Sequence, residues 1–66
     1  MPSNEIESAF RQMRRAQSRL IKKIGQTVTL KKSGKSGKLL MVGYGQAEIM
    51  LDGETMVTLV HVTAVK

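Results

Sequence analysis

The chain has 66 residues and no cysteine, so we expect one domain over residues 1–66 with a small core held by neither disulfides nor a thiolate-rich zinc site. A core of this size rarely supplies more than about 3–5 kcal/mol, and self-association is a common supplement. The formal net charge of +6 favours polyanionic partners without choosing among them. No apolar run approaches the ~20 residues of a spanning helix, so we expect no membrane partner and a protein that is cytoplasmic when made.

The first predicted element is an amphipathic helix over residues 4–24. Asn4 is a favourable N-cap, Glu7 follows three residues later as in a capping box, and Gly25 is a typical C-terminal stop. Apolar residues recur along this segment with a period of 3.6 and form one stripe. The members that we expect to pack in the core or between subunits are Phe10, Met13, Leu20 and Ile24.

The length and the composition of this stripe indicate contacts beyond the chain. A helix of about 20 residues spans roughly 30 Å, which is longer than a lid on a small barrel needs to be. Gln17 is the one polar residue in the stripe, and we expect it either to fix the register of an inter-subunit contact or to face solvent. We therefore predict a homo-oligomer.

The remaining face of the predicted helix is basic, and the loop after the first predicted strand adds lysines. Such a face either is solvated and keeps a small domain soluble, or contacts a polyanion or an acidic neighbour, to which the planar guanidinium of arginine is suited. The candidates for this contact are Arg11, Arg14, Arg15, Arg19, Lys22, Lys23, Lys31, Lys32, Lys35 and Lys38.

The apolar period changes to two after the helix, which predicts strands with one buried face. We expect strands from residue 26, over 38–42, over 46–51, over 54–60 and, as a short closing strand, over 61–66. Asp52-Gly53 predicts a two-residue type I′ hairpin. Since the loops are too short for crossover helices, the predicted fold is α+β, mainly β, with residues 26–66 forming a small four- to five-stranded antiparallel SH3-like β-barrel.

The sequence carries no recognisable catalytic or metal-binding motif. His61 is the only histidine, and no nucleophile-elbow spacing accompanies Ser33 or Ser36. Gly34-Lys35-Ser36 matches the end of a phosphate-binding loop, but Thr29 stands where that loop requires a glycine and the following segment is strand-like. We predict no enzymatic reaction, no cofactor and no metal.

One order of residues along the chain is similar to that of a known family. Ala16 and Leu20 precede Ile24-Gly25, Thr27-Val28-Thr29-Leu30, Ser36-Gly37, Leu39-Leu40 and Tyr44. This order resembles the opening half of the lambda-type phage head–tail joining proteins over about 37 residues. Those proteins place a helical arm before a compact β-barrel and form a ring between the portal and the tail. The resemblance implies a non-enzymatic adapter of the virion neck, with portal or connector and tail proteins as neighbours and with its arginines facing acidic partner surface or packaged DNA.

A second resemblance is to the small RNA-binding barrels of the Sm/Hfq and KOW kinds. Gly34, Gly45 and Val62-Thr63-Ala64-Val65 stand roughly where such a fold needs them. The acidic residue of the first Sm motif falls on Gly45, however, and Thr58-Leu59-Val60 replaces the Tyr-Lys-His triplet of Hfq. This alternative implies nucleic-acid binding through the basic loop 31–38, and the scarcity of aromatic residues argues against sequence-specific RNA recognition.

Overall fold

The structure, a computed structural model, describes residues 3–66, with side chains from Ile6 onward. One helix, α1 (Ser3–Ile21), precedes four strands and a short 3₁₀ helix (Val62–Ala64). The fold is therefore a small α+β domain, as the change of apolar period predicted. The capping contact predicted between Asn4 and Glu7 lies outside the described side chains.

Helix α1 ends at Ile21, earlier than the limit predicted at residue 24. The Lys23 N–H donates to the Leu20 carbonyl at 2.8 Å, and the Gln26 N–H donates to the Lys23 carbonyl at 2.9 Å. Such i to i−3 bonds satisfy carbonyls that have no partner inside the helix, and they tighten the chain into turns. The chain therefore leaves the helix before Gly25 and turns towards the sheet.

The four strands form one antiparallel sheet in the order in which they occur along the chain. The strands are β1 (Thr27–Thr29), β2 (Ser36–Gly43), β3 (Gln46–Leu51) and β4 (Thr58–His61). Strand β2 contains a bulge at Leu40, because Leu39 pairs with Ile49 while Met41 pairs with the adjacent Glu48. The bulge shifts the alternation of side chains, so Met41 faces outwards and Val42 packs against the core.

The tight hairpin lies between β2 and β3, whereas the sequence predicted it at Asp52-Gly53. A type I′ turn needs positive φ at both central residues, and Tyr44 (φ 53°) and Gly45 (φ 76°) meet this condition. At the predicted position only Gly53 has positive φ, at 81°. The predicted type I′ hairpin at 52–53 is therefore wrong.

The connection from β3 to β4 is longer than predicted. Glu54 was expected to begin the fourth strand, but β4 begins at Thr58, which pairs with Ile49. The end of β3 pairs only with β2, through Leu51 and Gly37. Residues 52–57 consequently form a loop around the end of the sheet.

A 3₁₀ helix occupies half of the segment in which a closing strand was predicted. The His61 Nδ1 accepts a hydrogen bond from the Thr63 N–H at 3.3 Å and caps this helix. After it, Val65 forms an isolated antiparallel bridge with Leu30. The described residues contain four strands and this single bridge, so a fifth strand is replaced by a turn of helix and one paired residue.

The core lies between the inner face of the sheet and the C-terminal half of α1. Its members are Leu20, Val28, Leu39, Ala47, Ile49, Leu51, Val62 and Val65. Leu20 is fully buried, and Met13 and Ala16 pack at the edge of the cluster. Four stripe residues were predicted to pack in the core or between subunits. In the single chain Leu20 is buried and Met13 is half-buried, while Phe10 and Ile24 are exposed.

Candidate functional site: a basic cavity and an unpartnered helix face

The C-terminal half of α1 is fixed to the rest of the domain by apolar packing and by two hydrogen bonds. The Gly45 N–H donates to Gln17 Oε1 at 2.7 Å, and Arg19 Nη2 donates to the Val65 carbonyl at 3.3 Å. Leu20, on the same part of the helix, is fully buried in the core. Gln17 was predicted to fix an inter-subunit register or to face solvent, but it binds the backbone of the β2–β3 hairpin in its own chain.

The N-terminal half of α1 exposes the other part of the apolar stripe. Ile6 is 60% exposed and Phe10 is 56% exposed. Together with Ala9, Met13 and His61 they line an apolar cavity of about 270 Å³. We call the helix surface defined by Ile6, Ala9, Phe10 and Met13 the helix stripe. The helix of 19 residues is roughly 28 Å long, which exceeds the two shorter dimensions of the molecule, 22 and 16 Å.

A second cavity, of about 350 Å³, lies between α1 and the chain segments that meet at the Leu30–Val65 bridge. It is lined by Gln12, Arg15, Ala16, Arg19, Lys31 and Thr63, and we call it the basic cavity. Arg15 and Arg19 stand one turn apart on the helix, so both side chains point to the same side. Lys31 lines the cavity from the turn after β1, and its N–H donates to the Ala64 carbonyl at 2.9 Å. Among the described side chains, three cations and no acidic group line this concave surface.

The other predicted basic residues do not join this cavity. Arg11 and Arg14 line a separate depression with Glu7 and Phe10. Lys35 Nζ lies 3.8 Å from Glu54 Oε2, an exposed ion pair. The remaining lysines are exposed or half-buried outside both cavities: Lys22, Lys23, Lys32 and Lys38. The ten predicted contacts therefore divide into one cluster of three and several separate positions.

The outer face of the sheet holds exposed apolar residues that the sequence analysis did not single out. Met41, Glu48 and Leu59 form a row across β2, β3 and β4, and Met41 and Leu59 are both more than half exposed. Tyr44 projects fully into solvent at the hairpin tip. The bulge at Leu40 places Met41 on this face. The face of a strand residue is predicted from the alternation of side chains, and a bulge interrupts this alternation, so the exposure of Met41 was not predicted.

The residues considered for chemistry make local contacts. His61 Nδ1 and Thr63 Oγ1 are 2.7 Å apart. Ser36 Oγ lies 2.8 Å from Thr29 Oγ1, and Ser33 Oγ accepts from the Lys35 N–H at 3.2 Å. Among the described residues, no group of three His, Asp or Glu is placed to hold a metal ion. No helix in residues 3–66 is both long and apolar enough to cross a bilayer.

Comparisons with protein-family models, with curated proteins and with solved structures found no match to this chain.

Proposed function

We propose that this chain is a non-enzymatic structural adapter that assembles into a ring, and that the ring belongs to the neck of a phage virion. The observation that carries the proposal is the helix stripe. Ile6 and Phe10 are large apolar side chains, each more than half exposed, on a helix whose other half makes the hydrogen bonds to the rest of the domain that the structure describes. Full burial of such a side chain contributes about 1.5–3 kcal/mol, so a partner that covers the stripe supplements the small core.

A ring is favoured over a two-fold dimer because the chain exposes two different apolar surfaces. The helix stripe lies on α1, while Met41 and Leu59 lie on the outer face of the sheet. Contact between unlike surfaces on successive copies is head-to-tail, and such contacts form a ring when the rotation closes. Arg14, beside Phe10, and Glu48, between Met41 and Leu59, add opposite charges to the two surfaces.

The finer fold that we propose is a small SH3-like barrel. The Leu30–Val65 bridge brings the end of the chain to β1, which is at the opposite end of the sheet from β4. Two backbone hydrogen bonds flank this bridge: Lys31 N–H donates to the Ala64 carbonyl and Lys66 N–H donates to the Thr29 carbonyl, both at 2.9 Å. A return of this kind closes an open sheet towards a barrel and protects its edge.

The assignment to the phage neck rests on the resemblance of the chain to the lambda-type joining proteins. Those proteins have a helical arm before a compact β-domain, and here α1 precedes the sheet in the same order. In this role the neighbours are portal or connector proteins on one side and tail proteins on the other.

The second candidate is a small RNA-binding barrel of the Sm or KOW kind. It depends on the basic segment 31–38, which was predicted as a loop but ends inside β2, and in which Lys35 is paired with Glu54.

Light scattering of the wild type and of two matched variants tests the adapter proposal. Phe10→Asp places a charge in the helix stripe, and Met56→Asp makes the same kind of change at a side chain that is 77% exposed in the loop 52–57. We expect a ring for the wild type and for Met56→Asp, and a monomer with wild-type circular dichroism for Phe10→Asp. Assembly of all three proteins to the same size would contradict the proposal.

A further inference from the structure

We infer that the basic cavity is a phosphate site that receives the sugar–phosphate backbone of a nucleic acid. This inference does not depend on the ring, because a single chain contains all of the lining residues. Arg15, Arg19 and Lys31 converge there from the helix and from the turn after β1. A wall of cations on two sides of one open cavity matches an anion with several acceptor oxygens.

The positive charge of this cavity is not balanced by the acidic side chains that the structure describes. Glu54 pairs with Lys35, and Glu48 lies on the outer face of the sheet. Glu7 lies in the depression beside Phe10, and Asp52 is exposed in the loop 52–57. Arg15 and Arg19 stand at i and i+4, where like charges repel each other and destabilise a helix. A bound anion removes this repulsion, so the site gains stability when it is filled.

Arg19 is also held in position for such a ligand. One of its guanidinium nitrogens donates to the Val65 carbonyl at 3.3 Å. A guanidinium has five N–H donors, so this bond fixes the group while other donors stay available for phosphate oxygens. A cation held in this way loses less side-chain entropy on binding than a free one.

A phosphodiester backbone fits the cavity better than a single nucleotide or a base does. The lining contains no aromatic side chain, so it offers no stacking surface for a base. Its polar groups are cations, one amide and one hydroxyl, which are the usual partners of phosphate and sugar oxygens. We therefore expect binding that is sensitive to salt and insensitive to base sequence.

Fluorescence anisotropy with a labelled mixed-sequence DNA duplex tests this inference on the full chain. The test variant is Arg15→Gln/Arg19→Gln, and the matched control is Arg11→Gln/Lys22→Gln, which removes the same charge from exposed positions outside the cavity. We expect at least a tenfold loss of affinity for the test variant, with a salt slope shallower by about 2. The control should keep the wild-type slope.

Three outcomes would overturn the inference. The first is a wild type that does not bind the duplex, and the second is an equal loss in both double variants, which would indicate a general effect of net charge. The third is competition by poly-glutamate as effective as that by unlabelled duplex, which would identify an acidic protein as the partner.

Thermal unfolding with inorganic phosphate at constant ionic strength distinguishes a nucleic-acid backbone from free phosphate as the ligand. We expect phosphate to raise the melting temperature of the wild type and of the control, and not that of the test variant. Stabilisation by phosphate without duplex binding would assign the site to the free ion. Light scattering of the same variants reports assembly separately, so loss of DNA binding with an intact ring leaves the adapter proposal standing.

Discussion

The Gly45 N–H donates to Gln17 Oε1 across 2.7 Å, which joins the only polar residue of the apolar stripe to the tight hairpin between β2 and β3. Gly45 is buried, so its N–H has little access to water in place of the amide. Met13 packs beside the same glycine. This contact fixes where α1 crosses the end of the sheet, and thereby which part of the stripe stays exposed.

Gln17→Leu should destabilise the fold by about 1–3 kcal/mol, because it leaves the Gly45 N–H without an acceptor. Gln12→Leu is the matched control, since Gln12 is exposed on the same helix and has no hydrogen bond to the sheet. Urea unfolding followed by circular dichroism measures both free energies. Equal stability of Gln17→Leu and the wild type would show that this bond does not anchor the helix.

Tyr44→Asn should stabilise the fold by about 0.5–1 kcal/mol. Tyr44 has φ 53°, a left-handed conformation that costs an ordinary L-residue about 1–2 kcal/mol and that asparagine adopts more readily. The Tyr44 side chain is fully exposed, so the substitution removes no packing in the single chain. Tyr44→Val should have the opposite effect, because a β-branched residue fits positive φ poorly. Thermal unfolding of the wild type and the two variants measures these differences. A Tyr44→Val variant as stable as Tyr44→Asn would contradict the type I′ geometry.

Gly37→Ala should prevent correct pairing of β2 with β3. A Cβ at Gly37 would collide with the Met50 carbonyl oxygen and with Leu51 Cα. These are backbone atoms, so no change of side-chain rotamer relieves the collision. Gly43→Ala is the control in the same strand, because a Cβ there meets no atom within 4 Å. We expect a loss of several kcal/mol for the first variant, in the range of overpacked cores, and a near-neutral effect for the second. Similar melting temperatures for the two variants would rule out this close approach.

The sequence predicted the type and order of the main elements because their apolar periods are long and regular. The change from period 3.6 to period two near Gly25 separates α1 from the sheet, and the strand predicted over 46–51 has the observed bounds. The antiparallel order also followed from the short loops. These features depend on local patterns that tertiary contacts reinforce.

The turns and the end of the chain could not be predicted in the same way. Asp52-Gly53 is a stronger hairpin signal than Tyr44-Gly45, yet the tight turn forms at Tyr44, where pairing of Gly43 with Gln46 and the bond to Gln17 outweigh the preference of tyrosine. Residues 61–66 were predicted as a short closing strand, but His61 caps a 3₁₀ helix within them. In both cases a contact distant in sequence or a local cap decided the outcome.

The candidate sites were predictable only as separate residues. The basic set included Arg15, Arg19 and Lys31, but no spacing in the sequence shows that Lys31 meets the helix, since this depends on its bond to Ala64. Leu20, predicted as a core or inter-subunit residue, is fully buried in the core, so its substitution would unfold the domain before it reported on assembly. Phe10 is the more informative position because it is exposed in the single chain.

The central claim, that the chain assembles through unlike surfaces into a closed ring, is tested most directly by native mass spectrometry of the wild-type protein. We expect one dominant species whose mass is a fixed multiple of the 7.3 kDa chain and does not grow with concentration, because a ring has no free ends. A monomer at every concentration, or a ladder of masses that lengthens with concentration, would contradict the ring.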